Sequence, residues 1–252
     1  MMPIEEAFGA ASLLAWGGFI VFLRVASALF VLPALGEQWI SVRVRLLLAI
    51  MLTAAIAPAV VAALALPEPT FGTFLRALAT ETLAGLFMGL MLRLFILAIQ
   101  TAGSIMAQST SLSQIMGQAG VDPLPAMGHI LTIAALALLM ATGFHVKAAA
   151  YLILSYDILP AFEFPNPGAV AGRRRVAEAF GLAFSLALPF VILSVLYNLT
   201  LGVINKAMPT LMVAFVGAPV ITMGSIFMLF LTAPLVLGVW LEAVEIFLAA
   251  PF

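Results

Sequence analysis

From Ala207 to Leu241 the sequence runs 35 residues without one charged side chain. About 20 apolar residues in a helix cover the hydrocarbon core of a bilayer, so this run is long enough for a complete crossing with residues to spare. Two more uncharged runs, 21 residues from Leu46 to Leu66 and 27 from Ala179 to Asn205, repeat the pattern. A transmembrane barrel would instead alternate in segments of about ten residues. The chain is therefore an integral membrane protein built from helices, and its 8% charged content agrees, against roughly a quarter in soluble domains. Glu5 and Glu6 stand where a signal peptide would carry basic residues, and no small-residue cleavage pattern follows, so the first helix is expected to stay in the mature protein. A net charge of −1 gives no reason to expect nucleic acid, and the absence of cysteine excludes disulfides, thiolate metal sites and cysteine nucleophiles.

Six spans are predicted. The first runs from about Leu13 to Leu35 with Arg24 in its middle, and a short link, Gly36 to Arg45, follows with the aromatic and basic mixture of a membrane interface. The second covers Leu46 to Leu66 and stops at Pro67-Glu68-Pro69, because neither proline can continue a helical ladder. Helix three starts near Phe74, passes Glu81 and Arg93, and gives way around Gly103; helix four covers about Met127 to Tyr156. Asp157 to Arg175 resembles an aqueous connection, helix five continues to Asn205, and helix six runs from about Thr210 to Glu245. Pro58, Pro189, Pro219 and Pro234 fall inside these spans, which predicts bent helices packed on other chains. The loop charges do not orient them: Arg43, Arg45 and Lys206 lie on one side, Arg76, Arg173, Arg174 and Arg175 on the other.

Between helices three and four, Gly103 to Met127 carries hydroxyls, amides, methionines and glycines, with a single acid, Asp122. Irregular backbone at membrane depth survives only where protein or a water-filled cavity satisfies its amides. One reading is that the stretch lines or closes a pathway; the other is an external loop. On the first, Met106, Leu112, Ile115 and Met116 supply adaptable apolar bulk. Gln108, Ser109, Thr110 and Gln114 then satisfy freed backbone, and Gly103 and Gly117 permit chain reversal. Farther on, Asn205, Lys206 and Pro209 are predicted to form the tight turn of a two-helix hairpin, with the proline starting the next helix.

Arg24, Glu81, Arg93 and Lys147 are ionisable groups in apolar helices, each costing at least about 2.5 kcal/mol at the bilayer centre unless paired or hydrated. Glu81 and Arg93 are about 18 Å apart along one helix, so each must find a partner elsewhere. The alternatives are a polar relay, ion pairs buried between subunits, or long stems of Arg24 and Lys147 reaching the interface. His129 and His145 lack the i, i+4 spacing of a helical metal site, and no phosphate loop or nucleophile elbow is present. Neither a cofactor nor an enzymatic activity is indicated. Arg173 to Arg175 suit anionic lipid or simply flank the membrane. Gly85-x-x-x-Gly89 favours close helix contact.

Several pieces resemble, in order and spacing, the FliR family of flagellar biosynthesis and its injectisome-type relatives. They are Val42-Arg43-Val44-Arg45 after the first helix, Ala102-Gly103 and Asp122-Pro123 around the polar stretch, Gly143-Phe144-His145 in helix four, and Leu159-Pro160. Gly202-x-x-Asn205-Lys206-x-x-Pro209 with Gly217-x-Pro219 resembles the family's last hairpin. Ser109-Thr110-Ser111-Leu112 and Pro209-Thr210-Leu211-Met212 depart from the family's Gln-Met-Gly-Leu and Pro-Gln-x-Asn runs. The resemblance implies an all-α polytopic protein of about six bent helices, one export-gate domain over residues 1–252, with N-terminal helices to about 160 and a C-terminal hairpin over about 176–252. It implies one copy in a ring with FliP-like and FliQ-like subunits, FlhB-like and FlhA-like components nearby, and unfolded substrates passing through. The place would be the inner membrane at the flagellar basal body, with helices standing partly above the membrane plane and a plug at residues 103–122. A stand-alone small-molecule or ion transporter is the competing reading, although its two halves should carry symmetric broken helices and the polar break here occurs once.

Overall fold

A computed structural model describes residues 4–110, 126–164, 168–208 and 213–251. The described residues form seven helices and no strand: α1 Ile4–Val31, α2 Val42–Val61, α3 Phe71–Thr110, α4 Ala126–Ala141, α5 Phe144–Ile158, α6 Gly168–Ala207 and α7 Val213–Ala249. Five of them are long and apolar enough to cross a membrane, and the α4–α5 pair, bent by 77°, makes up to six if it counts as one broken span.

Local chemistry sets the boundaries. Pro33 lies two residues beyond the end of α1, and Ala34 takes a left-handed turn with φ 64°. Arg45 closes the link behind it by donating to the Glu37 carbonyl at 2.9 Å. The Ser41 hydroxyl caps α2 by accepting from the Val44 amide at 3.4 Å. Ahead of α3, Thr70 and Thr73 bond reciprocally, the Thr70 amide to the Thr73 hydroxyl at 2.8 Å and the Thr73 amide to the Thr70 hydroxyl at 3.2 Å. This is a capping-box arrangement with threonine in the place of the usual Glu or Gln.

The structure differs from the sequence reading in several places; α6, for one, begins at Gly168, so Arg173 to Arg175 lie on a helix rather than in an aqueous connection. Helix four is not continuous: Gly143 sits at φ 74° and separates α4 from α5, a conformation that a residue without a Cβ adopts at no steric penalty. Helix three does not give way at Gly103 but continues to Thr110. Its hydroxyls bond back to their own helix, Ser104 to the Gln100 carbonyl at 2.9 Å and Ser109 to the Met106 carbonyl at 2.8 Å, so polar side chains do not break it.

The chain divides into two compact units. Unit one comprises Met1–Leu94, Leu139–Arg175 and Ile246–Phe252, and its core includes Ile20, Leu29, Met88, Phe144, Leu152 and Phe247. Within it α3 crosses α1 at a distance that only glycine allows. A Cβ on Gly85 would lie 2.2 Å from the Arg24 carbonyl oxygen, and one on Gly89 2.7 Å from that of Ala28. The small-residue spacing read from the sequence thus mediates packing inside the chain. Unit two comprises Phe95–Leu138 and Val176–Glu245, with Ile96, Ile99, Leu131, Leu186, Phe190 and Trp240 in its core. Here α3 and α4 meet at Gly103, where an added Cβ would lie 2.3 Å from the Gly128 Cα. Gly103 therefore serves a close helix contact rather than a chain reversal.

Candidate functional site

In unit two, the polar end of α3 holds Met106, Gln108 and Ser109 on a helix, with Met106 buried, Ser109 half-buried and Gln108 exposed. Thr110 is the last helical residue. Leu112, Gln114, Ile115, Met116 and Gly117 lie outside the described residues. The last carbonyls of a helix have no intrahelical donor, and α6 supplies one: the Ser194 hydroxyl donates to the Ser109 carbonyl. Asn198, one turn on, donates its amide to the Ser194 oxygen at 3.3 Å. Earlier on α3, the buried Trp240 of α7 donates Nε1–H to the Phe95 carbonyl at 2.7 Å. Three helices of this unit are thus tied together by polar bonds next to the section that the sequence singled out. Ser194 and Trp240 were missed because their partners are 85 and 145 residues away in sequence, with no local pattern to mark them.

The ionisable groups resolve into pairs in unit one. Arg24 Nε meets Glu81 Oε2 at 2.8 Å, with both side chains almost fully enclosed. Arg24 Nη1 also donates to the carbonyl and the hydroxyl of Ser155, each at 3.2 Å, and its guanidinium lies 3.7 Å from the Tyr156 ring centroid. The expectation that Arg24 reaches the interface or pairs with another subunit is corrected: its charge is paired inside this chain, although Nη2 is buried without a hydrogen-bond partner among the described residues. Arg93 pairs at 2.5 Å with Glu37 of the link between α1 and α2, the acid buried and the arginine partly exposed. Lys147 is half-buried near the start of α5. Arg24 and Glu81 thus share one enclosed pair and Arg93 forms a second with Glu37, both tying together elements of unit one.

Asn205 and Lys206 do not form a turn; they lie exposed in the last turn of α6, where the cation favours the negative end of the helix. Pro209 lies outside the described residues. Among the described residues no group of three or more His, Cys, Asp or Glu could hold a metal ion. The arrangement is one of packed apolar helices with polar ties, and chemistry enters it as hydrogen bonding and ion pairing.

Comparison with known proteins bears on this arrangement. Residues 15–246 match the family described as "Bacterial export proteins, family 1". The chain is similar to the flagellar biosynthetic protein FliR of Caulobacter vibrioides, 31% identical over 227 residues, covering 88% of this chain and 90% of the relative. It is also similar to FliR of Escherichia coli K12, 31% identical over 209 residues (80% and 78%), and to that of Aquifex aeolicus, 28% over 220 residues (85% and 84%). These matches disfavour a stand-alone transporter. By a match that covers nearly the whole length, the chain belongs to the bacterial export proteins, family 1, and within them to the FliR family of flagellar biosynthetic proteins.

Proposed function

We propose that this chain is a core subunit of the flagellar type III export gate in the bacterial inner membrane, at the flagellar basal body. There it helps form the channel through which unfolded flagellar proteins leave the cell. The chain is a membrane-embedded component of flagellar export, and its role is structural. Its neighbours on this reading are FliP-like and FliQ-like subunits in a helical ring, with FlhB-like and FlhA-like components beside it. The whole of residues 1–252 acts as one export-gate domain, and the section 103–122 serves as a plug that closes the resting pore. Residues 103–110 of that section are the end of α3, which Ser194 holds. Asn205, Lys206 and Pro209 mark the connection of the C-terminal helical pair.

The observation that carries this reading is the extent of the family match, residues 15–246, which includes the polar section and the helices on both sides of it. The many large apolar side chains left exposed on α6 and α7, among them Phe180, Phe184, Phe227 and Phe230, fit a chain that shares its surface with lipid and other subunits. Co-expression with the neighbouring gate subunits, followed by purification in mild detergent, tests it. A stable large complex is expected; a chain that purifies only as a well-behaved monomer would overturn the assignment to a gate.

A further inference from the structure

The link after α5 carries a residue in a conformation its side chain disfavours. Phe162 has φ 67°, the left-handed region that residues with a Cβ rarely adopt. Its two backbone polar groups are both held by side chains of α3. The Phe162 amide donates to Glu81 Oε1 at 3.0 Å, and Arg76 Nε donates to the Phe162 carbonyl at 3.0 Å. Glu81 is itself aimed by Arg24, which binds the other carboxylate oxygen at 2.8 Å, and Arg24 is in turn held by Ser155 at the end of α5. A strained backbone residue persists only where its surroundings over-determine it. Here an enclosed ion pair and an exposed arginine do so.

We propose that the Leu159–Phe164 link is a charge-held latch, in which Arg76 and Glu81 clamp Phe162 against α3 in a strained conformation. The strain favours release, while the two side-chain bonds and the turn bond from the Glu163 amide to the Pro160 carbonyl, 3.3 Å, oppose it, so the link has a held and a freed state while α1, α3 and α5 stay packed. Arg24 is a positioning residue in this device, since it touches Glu81 and not the link. Arg76 is exposed and makes its bond from the rim, which makes it the member whose loss opens the latch without disturbing the core.

Amide hydrogen exchange of the 159–164 segment, measured on the full chain in its purified export complex, reads the latch directly. Arg76→Ala should speed exchange of the Phe162 amide about tenfold or more, the scale expected when a charge-assisted bond worth about 1.5 kcal/mol or more is lost, while the Ile20–Leu29 core stays as protected as in the parent. Glu81→Gln should speed it further. Phe162→Gly and Phe162→Asn should slow it about fivefold, because both residues accept the left-handed region with little penalty. An Arg76→Ala chain whose Phe162 amide exchanges at the parent rate would overturn the clamp, and faster or unchanged exchange in both Phe162 variants would overturn the strain.

Discussion

Arg24 and Glu81 show how a charge is tolerated inside an apolar bundle. Each would be costly alone; Ser155, the Phe162 amide and the Tyr156 ring add to their mutual pairing, and Arg24 Nη2 is left without a hydrogen-bond partner among the described residues. Removing one partner strands the other, so Glu81→Leu should destabilise the protein by about 3–5 kcal/mol. The double variant Arg24→Met, Glu81→Leu should recover much of that loss, because an enclosed ion pair adds little over well-packed apolar side chains. Thermal unfolding of the purified complex, compared across the single and double variants, checks this; a double variant less stable than Glu81→Leu would argue that the pair is worth more than its absence. The sequence marked Arg24, Glu81 and Arg93 as residues in need of partners from their apolar setting alone. It did not reveal which partners, because Glu81 and Glu37 stand 57 and 56 residues from the arginines they meet and only the folded chain brings them together.

Single glycines decide how closely the helices cross and where one of them breaks. Gly103 and Gly128 lie against each other, yet their environments differ: a Cβ on Gly103 would lie 2.3 Å from backbone, whereas one on Gly128 comes no closer than 3.4 Å. Gly103→Ala should therefore force α3 and α4 apart and lower stability by about 1–3 kcal/mol, the usual cost of overpacking, while Gly128→Ala stays close to the parent. Melting temperatures of the two variants decide it, and equal losses would contradict the crossing geometry. Gly143 presents the opposite case, with open space around its Cα but φ 74°, so Gly143→Ala should cost about 1–2 kcal/mol from backbone conformation alone. The existence of the long helices was legible because apolar length without charge leaves no other structure in a bilayer. The break at Gly143 was not, since a lone glycine in an apolar run reads equally well as a packing position. The extension of α3 to Thr110 was hidden by serines and threonines, which signal loops in water but bond back to their own helix here.

For the whole molecule, class and family were readable, the first from uncharged length and the second from the order of short motifs that the family match then spans. Long helices with many exposed apolar side chains, one pair of them broken by 77°, describe a chain suited to sharing its surface. Expressed without its neighbours, it should aggregate or lose helical protection in mild detergent, which size-exclusion chromatography would show; a monodisperse, folded monomer would count against that account. Sealing of an export channel by the section beginning at Gly103 is open to direct measurement. Deleting residues 108–117 from the chromosomal copy removes the proposed seal beyond the crossing at Gly103 and leaves the Trp240 tie to Phe95 in place. Ion conductance of membranes containing the assembled deletion complex should then rise well above that of the parent. An assembled deletion complex in membranes as tight as the parent's would contradict the claim.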